Sequence, residues 1–119
     1  MEDNTKQKEL LGKIEDLRFD SRGLIPVIAQ DYKTKQVLML AWANLQSLEL
    51  SLNSGYATYF SRSRNEIWQK GKTSGNLQKI VEIYSDCDQD SLIFIVNQLG
   101  SACHTGEKSC FFRKITLFK

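Results

Sequence analysis

The sequence predicts an α+β domain: a mainly antiparallel sheet with one principal helix. Three observations carry that expectation. Short apolar or alternating runs recur at residues 24–30, 36–42, 56–60, 77–84 and 92–96, each bounded by polar turn residues, which is the pattern of strands. One stretch after Asn44 has helical spacing with a cap signal at each end. A chain of 119 residues fits one domain, here 1–119, and that length can fold without a staple.

The elements follow in order. Residues 1–20 are charged, with Leu10, Leu11, Ile14 and Leu17 at helical spacing, and predict a short amphipathic helix over one edge of the core. Residues 24–30 form a strand with Pro26 near its start, where a missing donor is tolerated. Asp31-Tyr32-Lys33-Thr34-Lys35 is a hairpin connection into residues 36–42, a nearly continuous apolar run expected inside the sheet. Asn44 can accept from an open backbone N–H as an N-cap. The helix then runs through Leu45, Leu48, Glu49 and Leu52 to Ser54-Gly55, where glycine permits a left-handed exit. Residues 56–60 are a strand, and Ile67-Trp68 lies in a polar stretch that ends in a turn-rich segment. In residues 77–84, Leu77, Lys79, Val81 and Ile83 alternate with Gln78, Ile80, Glu82 and Tyr84. Residues 92–96 are a stronger strand, 100–109 a loop, and 111–118 a final strand.

Hydrophobic residues make up 41% and charged residues 25% of the chain, the profile of an ordinary soluble protein. The polar start Met1-Glu2-Asp3-Asn4-Thr5-Lys6 lacks the apolar core of a secretory signal, and no apolar run approaches the ~20 residues that span a bilayer. The expected location is cytoplasmic, with no membrane partner. A net charge of +2 without a long basic tract gives no footprint for nucleic acid.

Chemistry concentrates in the last third. All three cysteines and the only histidine surround an acidic knot: Asp86-Cys87-Asp88-Gln89-Asp90, then Ala102-Cys103-His104-Thr105-Gly106, then Ser109-Cys110. Three thiolates match an open catalytic zinc site with one free position, although no close Cys-x-x-Cys clip is present. Three unrelated buried thiols would also fit. If 86–90 stays extended, Asp86, Asp88 and Asp90 point one way and Cys87 the other. Cys87 would then meet Cys103 and Cys110 across a two-fold interface, and the aspartates would form an oxygen-rich magnesium site. A solvated acidic turn is the plain alternative. His104 is a candidate general base, since imidazole titrates near neutrality; a loop histidine without a role is its plain alternative.

Two polar segments suit a phosphorylated small molecule. Arg62 and Arg64 lie in Ser61-Arg62-Ser63-Arg64, and Lys70, Lys72, Thr73, Ser74 and Asn76 lie in Lys70-Gly71-Lys72-Thr73-Ser74-Gly75-Asn76. Guanidinium groups match phosphate oxygens bidentately, and a glycine turn exposes backbone donors. Neither segment has the Walker order. Trp68 between them could stack on a base or simply be core, and a solvated hairpin would use the same residues.

Together these motifs resemble the phosphoribosyl-AMP cyclohydrolase family of histidine biosynthesis. The resemblance runs from about Gly23 to Phe112. It includes Gly23-Leu24-Ile25-Pro26, Val37-Leu38-Met39-Leu40-Ala41 and Ser61-Arg62-Ser63-Arg64, then the segment from Trp68 to Asn76 and the three cysteine motifs. Ser101 stands where many members have proline, and Trp42-Ala43 replaces a more usual Tyr-Met.

The resemblance implies hydrolysis of the N1–C6 bond of the adenine ring of phosphoribosyl-AMP. It implies a homodimer in which Cys87 of one subunit joins Cys103 and Cys110 of the other around Zn2+. Asp86, Asp88 and Asp90 would hold Mg2+, and His104 would help activate water. With the chain ending at Lys119, the single-function form is expected rather than one fused to a pyrophosphatase. A zinc-dependent adenine nucleotide deaminase would need a His-x-Glu beside its cysteines, and the sequence has none. A non-catalytic zinc-stabilised binding protein would leave the aspartates and His104 without a task.

Overall fold

A computed structural model describes residues 13–118. Among these residues, six strands form one sheet, β1 (Ile25–Asp31), β2 (Val37–Ala43), β3 (Thr58–Ser61), β4 (Glu66–Gln69), β5 (Gln78–Ser85) and β6 (Leu92–Gln98), with one α-helix, α1 (Leu45–Ser54), between β2 and β3. Their order across the sheet is β4-β3-β2-β1-β6-β5. All neighbours are antiparallel except β1 and β6, which run parallel. The sheet is therefore mixed but mainly antiparallel, with one principal helix, as the alternating runs predict.

The sheet also curls back on itself. Ala57 donates to the Gln78 carbonyl (2.9 Å) and Ile80 to the Gly55 carbonyl (2.8 Å), so the chain entering β3 pairs with the far edge strand β5. This closure occupies backbone groups that an open edge would leave exposed.

Burial follows the strand period. In β1, Ile25, Val27, Ala29 and Asp31 are buried and their neighbours half-buried, the two-residue alternation of a pleated strand. Ile25, Val27 and Ala29 meet Leu38, Leu48, Tyr59, Phe94 and Val96 in one core. Tyr59 stacks on Phe94 with centroids 5.8 Å apart. α1 begins at a reciprocal cap, in which Ser47 N donates to Asn44 Oδ1 (2.8 Å) and Asn44 N donates to Ser47 Oγ (2.9 Å). It ends at Gly55 with φ 81°, a left-handed exit that glycine adopts without strain.

Four expectations change. Within residues 1–20, Leu10 and Leu11 lie outside the described residues; the described part has only one 3-10 turn, Ile14–Asp16. Ile14 and Leu17 still pack on the core. β4 is a strand although it has only two apolar residues, because the 61–65 turn folds it back on β3, pairing Tyr59 with Trp68. In β5 the register shifts between Ile80 and Glu82. Val81 is thus the extra residue of a bulge and is exposed, while Ile80 and Ile83 both pack on the core; a bulge flips the alternation that follows it. Finally, residues 111–118 form no strand. Alternating apolar residues make a strand only where an edge supplies hydrogen bonds, and Ile115 and Leu117 stay 85% and 83% exposed.

Asp31 ties the first hairpin. Its Oδ2 accepts from Thr34 N (2.9 Å), Lys33 N (3.0 Å) and Thr34 Oγ1 (3.1 Å). The Thr34 backbone donor leads in holding its carboxyl below the usual carboxylate value, against the opposing effect of burial. A carboxylate depressed on folding contributes stability above its unfolded pKa and loses it as pH falls through the folded value. Asp31→Asn is therefore expected to cost about 1–3 kcal/mol at neutral pH. Urea denaturation across the acid range should show a shallower loss of stability on acidification than in the parent.

Candidate active site and metal ligands

The turn-rich segment between β4 and β5 lines an open cleft of about 700 Å³. Arg64, Trp68, Lys70, Lys72, Thr73 and Ser74 all border it, over a floor that includes Leu50 and Thr58. Gly71 makes the tight fold possible. Its φ is 79°, Gly75 N donates to its carbonyl at 2.8 Å, and a Cβ there would lie 2.2 Å from the Asn76 carbonyl carbon.

Arg62 faces a second cleft of about 500 Å³ with Arg22, Ser61 and Ser63. Its guanidinium lies over the Trp42 ring, 4.5 Å from the centroid. Trp68 borders both clefts and packs on Tyr59 with centroids 5.3 Å apart, so it is core on one side and wall on the other. Asn76 lines neither cleft and turns instead toward Ser101. Nothing in the sequence near Arg22 marks a phosphate site; the side-by-side pairing of β1, β2 and β3, Pro26 with Trp42 and Trp42 with Phe60, sets it on the same cleft as Arg62.

The loop after β6 brings two thiols together. Ala102 N donates to Lys108 O (3.0 Å) and Cys103 N to Glu107 O (3.1 Å), folding the loop into a narrow hairpin. Ser109 Oγ donates to Val37 O (2.7 Å) and Cys110 N to Leu38 O (2.7 Å), pinning its end to the start of β2. The Thr105 hydroxyl lies 3.0 Å from Cys103 Sγ. That contact leads in pulling the Cys103 thiol below its ordinary value, with lesser help from Cys110 and the Lys70 charge. Desolvation, then the Cys103 charge, pushes the Cys110 thiol up. Two thiols this close resist ionising together, because each thiolate raises the cost of the other. Lys70 Nζ donates to the Ala102 carbonyl at 2.5 Å, so one side chain spans from the first cleft to the thiol loop. His104 is exposed in the same loop.

Cys87 is elsewhere. It is exposed in the turn before β6, whereas Cys103 and Cys110 follow the end of β6. The seven residues of that strand, at about 3.3 Å each, put roughly 20 Å between Cys87 and the pair in one chain.

Asp86, Asp88 and Asp90 do converge, with one oxygen of each within 4.8 Å of the others; this is the one such group among the described residues. They do so through a turn rather than the extended alternation that the sequence suggests. Gln89 N donates to Asp86 O (3.0 Å), and Gln89 takes φ 61°. A hairpin between adjacent antiparallel strands has to reverse here. Asp86 Oδ1 accepts from Asp90 N (3.0 Å) and Oδ2 from Ser91 Oγ (2.6 Å). The Ser91 hydroxyl leads in lowering the Asp86 carboxyl, while desolvation and the Asp86 charge raise that of Asp90.

A family model described as phosphoribosyl-AMP cyclohydrolase matches residues 39–112. The phosphoribosyl-AMP cyclohydrolase of Archaeoglobus fulgidus is 58% identical over 100 residues, spanning 84% of this chain and 93% of its own length. That of Methanospirillum hungatei is 57% identical over 99 residues, 83% of this chain and 76% of its own. The histidine biosynthesis bifunctional protein HisIE of Aquifex aeolicus is 57% identical over 100 residues, 83% of this chain and 49% of that protein. Among the described residues, no helix is long and apolar enough to cross a membrane.

Proposed function

Because the chain belongs to the phosphoribosyl-AMP cyclohydrolase family and catalyses the ring-opening step of histidine biosynthesis, we propose that it hydrolyses the N1–C6 bond of phosphoribosyl-AMP as a cytoplasmic, zinc- and magnesium-dependent homodimer. The observation that carries this is Lys70, which borders the basic cleft and bonds the thiol loop at once. A substrate held by its phosphates in the cleft therefore lies against the Cys103–Cys110 pair.

The donor sets suit the two metals. Adjacent soft sulfurs favour zinc and three clustered carboxylates favour magnesium. Cys103 and Cys110 of one copy with Cys87 of a second would hold zinc; Asp86, Asp88 and Asp90 would hold magnesium. Exposed Val37, Leu40, Phe111, Phe112 and Leu117 are apolar surface that a second copy would cover.

Bound zinc supplies Lewis acidity that makes water a competent nucleophile near neutral pH. The protein's own groups do the rest. Arg62, Arg64, Lys72, Thr73 and Ser74 hold phosphate oxygens, and the Trp68 ring borders the adenine. His104 takes a proton from the attacking water as its oxygen bonds to C6. The tetrahedral adduct collapses, the N1–C6 bond breaks, N1 leaves with the electron pair and is protonated, and C6 keeps the oxygen as a carboxamide. Positioning and charge stabilisation carry most of the rate.

Following the ultraviolet change of ring opening with phosphoribosyl-AMP, with and without chelator, tests the proposal. Activity should vanish with chelator and return with zinc. Ammonia release, or turnover indifferent to chelator, would overturn it. His104→Ala should keep its fold and its zinc while turnover falls about 10²–10⁴-fold; unchanged turnover would remove His104 from the mechanism.

A further inference from the structure

Three side chains bind the cleft segment to the thiol loop. Lys70 reaches Ala102 O, and Asn76 Nδ2 reaches Ser101 Oγ at 3.5 Å. Asn76 also presses on Gly100 so closely that a Cβ there would sit 2.1 Å from its Oδ1. The third is Gln98, at the end of β6. Its Nε2 faces carbonyls of both segments: Asn76 (3.2 Å) and Leu77 (3.4 Å) on one side, Leu99 (3.2 Å) and Ser101 (3.4 Å) on the other.

What aims that amide is a buried relay. The Tyr59 hydroxyl donates to Gln78 Oε1 at 2.6 Å, and Gln78 Nε2 donates to Gln98 Oε1 at 2.9 Å. Tyr59 and Gln78 are wholly buried and Gln98 is 8% exposed. The carbonyls around Gln98 accept only, so its nitrogen faces them and its oxygen takes the Gln78 nitrogen, which leaves the Gln78 oxygen to accept from the phenol. No buried side-chain polar atom is left unpaired among the described residues. Leucine or methionine would fill these positions without the desolvation cost of amides. A fully satisfied buried network of this kind fixes one arrangement of the parts it joins.

We propose that Gln98 is a positioning residue for ring opening: its amide, aimed by Gln78 and Tyr59, sets the cleft segment 70–77 against the thiol loop 99–110, and so sets the substrate against the metal ligands. This rests on the zinc assignment made above for Cys103 and Cys110. It also gives Asn76 a structural place, holding the two segments in register, instead of the substrate contact expected from the sequence.

The test uses Gln98→Met in the full chain, with Tyr59→Phe as a milder variant that removes only the orienting hydroxyl. Leu48→Ala, a core truncation at a residue that lines neither cleft, is the control for lost stability. Zinc affinity is read by chelator competition, and kcat and KM by the ring-opening assay, below the melting temperature of every variant. Gln98→Met should lower zinc affinity and kcat each by about 10–100-fold, the usual effect of losing a group that orients metal ligands. Tyr59→Phe should move both the same way by a smaller factor. Leu48→Ala should lose melting temperature alone. If Gln98→Met and Tyr59→Phe match the control, with zinc affinity and kcat within about twofold of the parent, the proposal is wrong. Cys103→Ala in the same titration separates the two layers. Zinc retained there overturns the ligand assignment and this inference with it; zinc lost there while Gln98→Met stays normal overturns the positioning role alone.

Discussion

Replacing Cys103 by alanine should abolish zinc binding and ring opening together. Cys103 is buried, receives the Thr105 hydroxyl, and sits beside Cys110 and Lys70, so of the two paired thiols it is the one whose sulfur is prepared to be a thiolate. Its backbone N–H is already satisfied by Glu107. The substitution thus removes a sulfur without untying the loop. Metal content by emission spectroscopy should fall to background, and turnover should fall at least about 10³-fold, equivalent to about 4 kcal/mol of transition-state stabilisation. The melting temperature of the metal-free protein should shift little. An active, zinc-free Cys103→Ala would break the link between the thiols and the reaction. Loss of fold would instead point to a structural role, and the metal-free melting curve tells the two apart.

The parts of this fold legible in the sequence are those whose physics is local. β1, β2 and β6 follow from unbroken or alternating apolar runs, and α1 from Asn44 and Gly55, whose capping geometry is contained within a few residues. β4 was not legible, because Ile67 and Trp68 alone set no period and only pairing with β3 makes them a strand. The Val81 bulge was hidden for the opposite reason. Residues 77–84 alternate convincingly, but the partner β6 decides where the register slips. Residues 111–118 show the limit of propensity without an edge to pair with.

The candidate site divides the same way. Asp86, Asp88 and Asp90 are close in sequence and converge in space, and Cys103 and Cys110 share one loop. Arg22 beside Arg62 and the relay from Tyr59 through Gln78 to Gln98 join residues far apart in the chain. A glutamine in a strand carries no sign that it will be buried.

Mixing two inactive variants should restore activity. Within one chain Cys87 stands roughly 20 Å, the length of β6, from Cys103 and Cys110, a separation no side-chain rotation can close. A zinc site using all three sulfurs has to draw them from two copies, and two-fold symmetry then gives each dimer two such sites. On the proposed shared site, Cys87→Ala would remove one ligand of each zinc and Cys103→Ala another, so either homodimer should be inactive. In a mixed dimer the Cys87→Ala subunit still offers Cys103 and Cys110, and the Cys103→Ala subunit still offers Cys87. One site is whole and the other lacks two sulfurs. Equal amounts of the two variants, co-folded from denaturant with zinc, should form about half mixed dimers and recover about a quarter of parental turnover. Each variant treated alone should recover none. Zinc content should rise in parallel, since the metal and the activity belong to the same intact site. If the three ligands came from one chain, the mixture would stay as inactive as its components, because every chain in it lacks a sulfur.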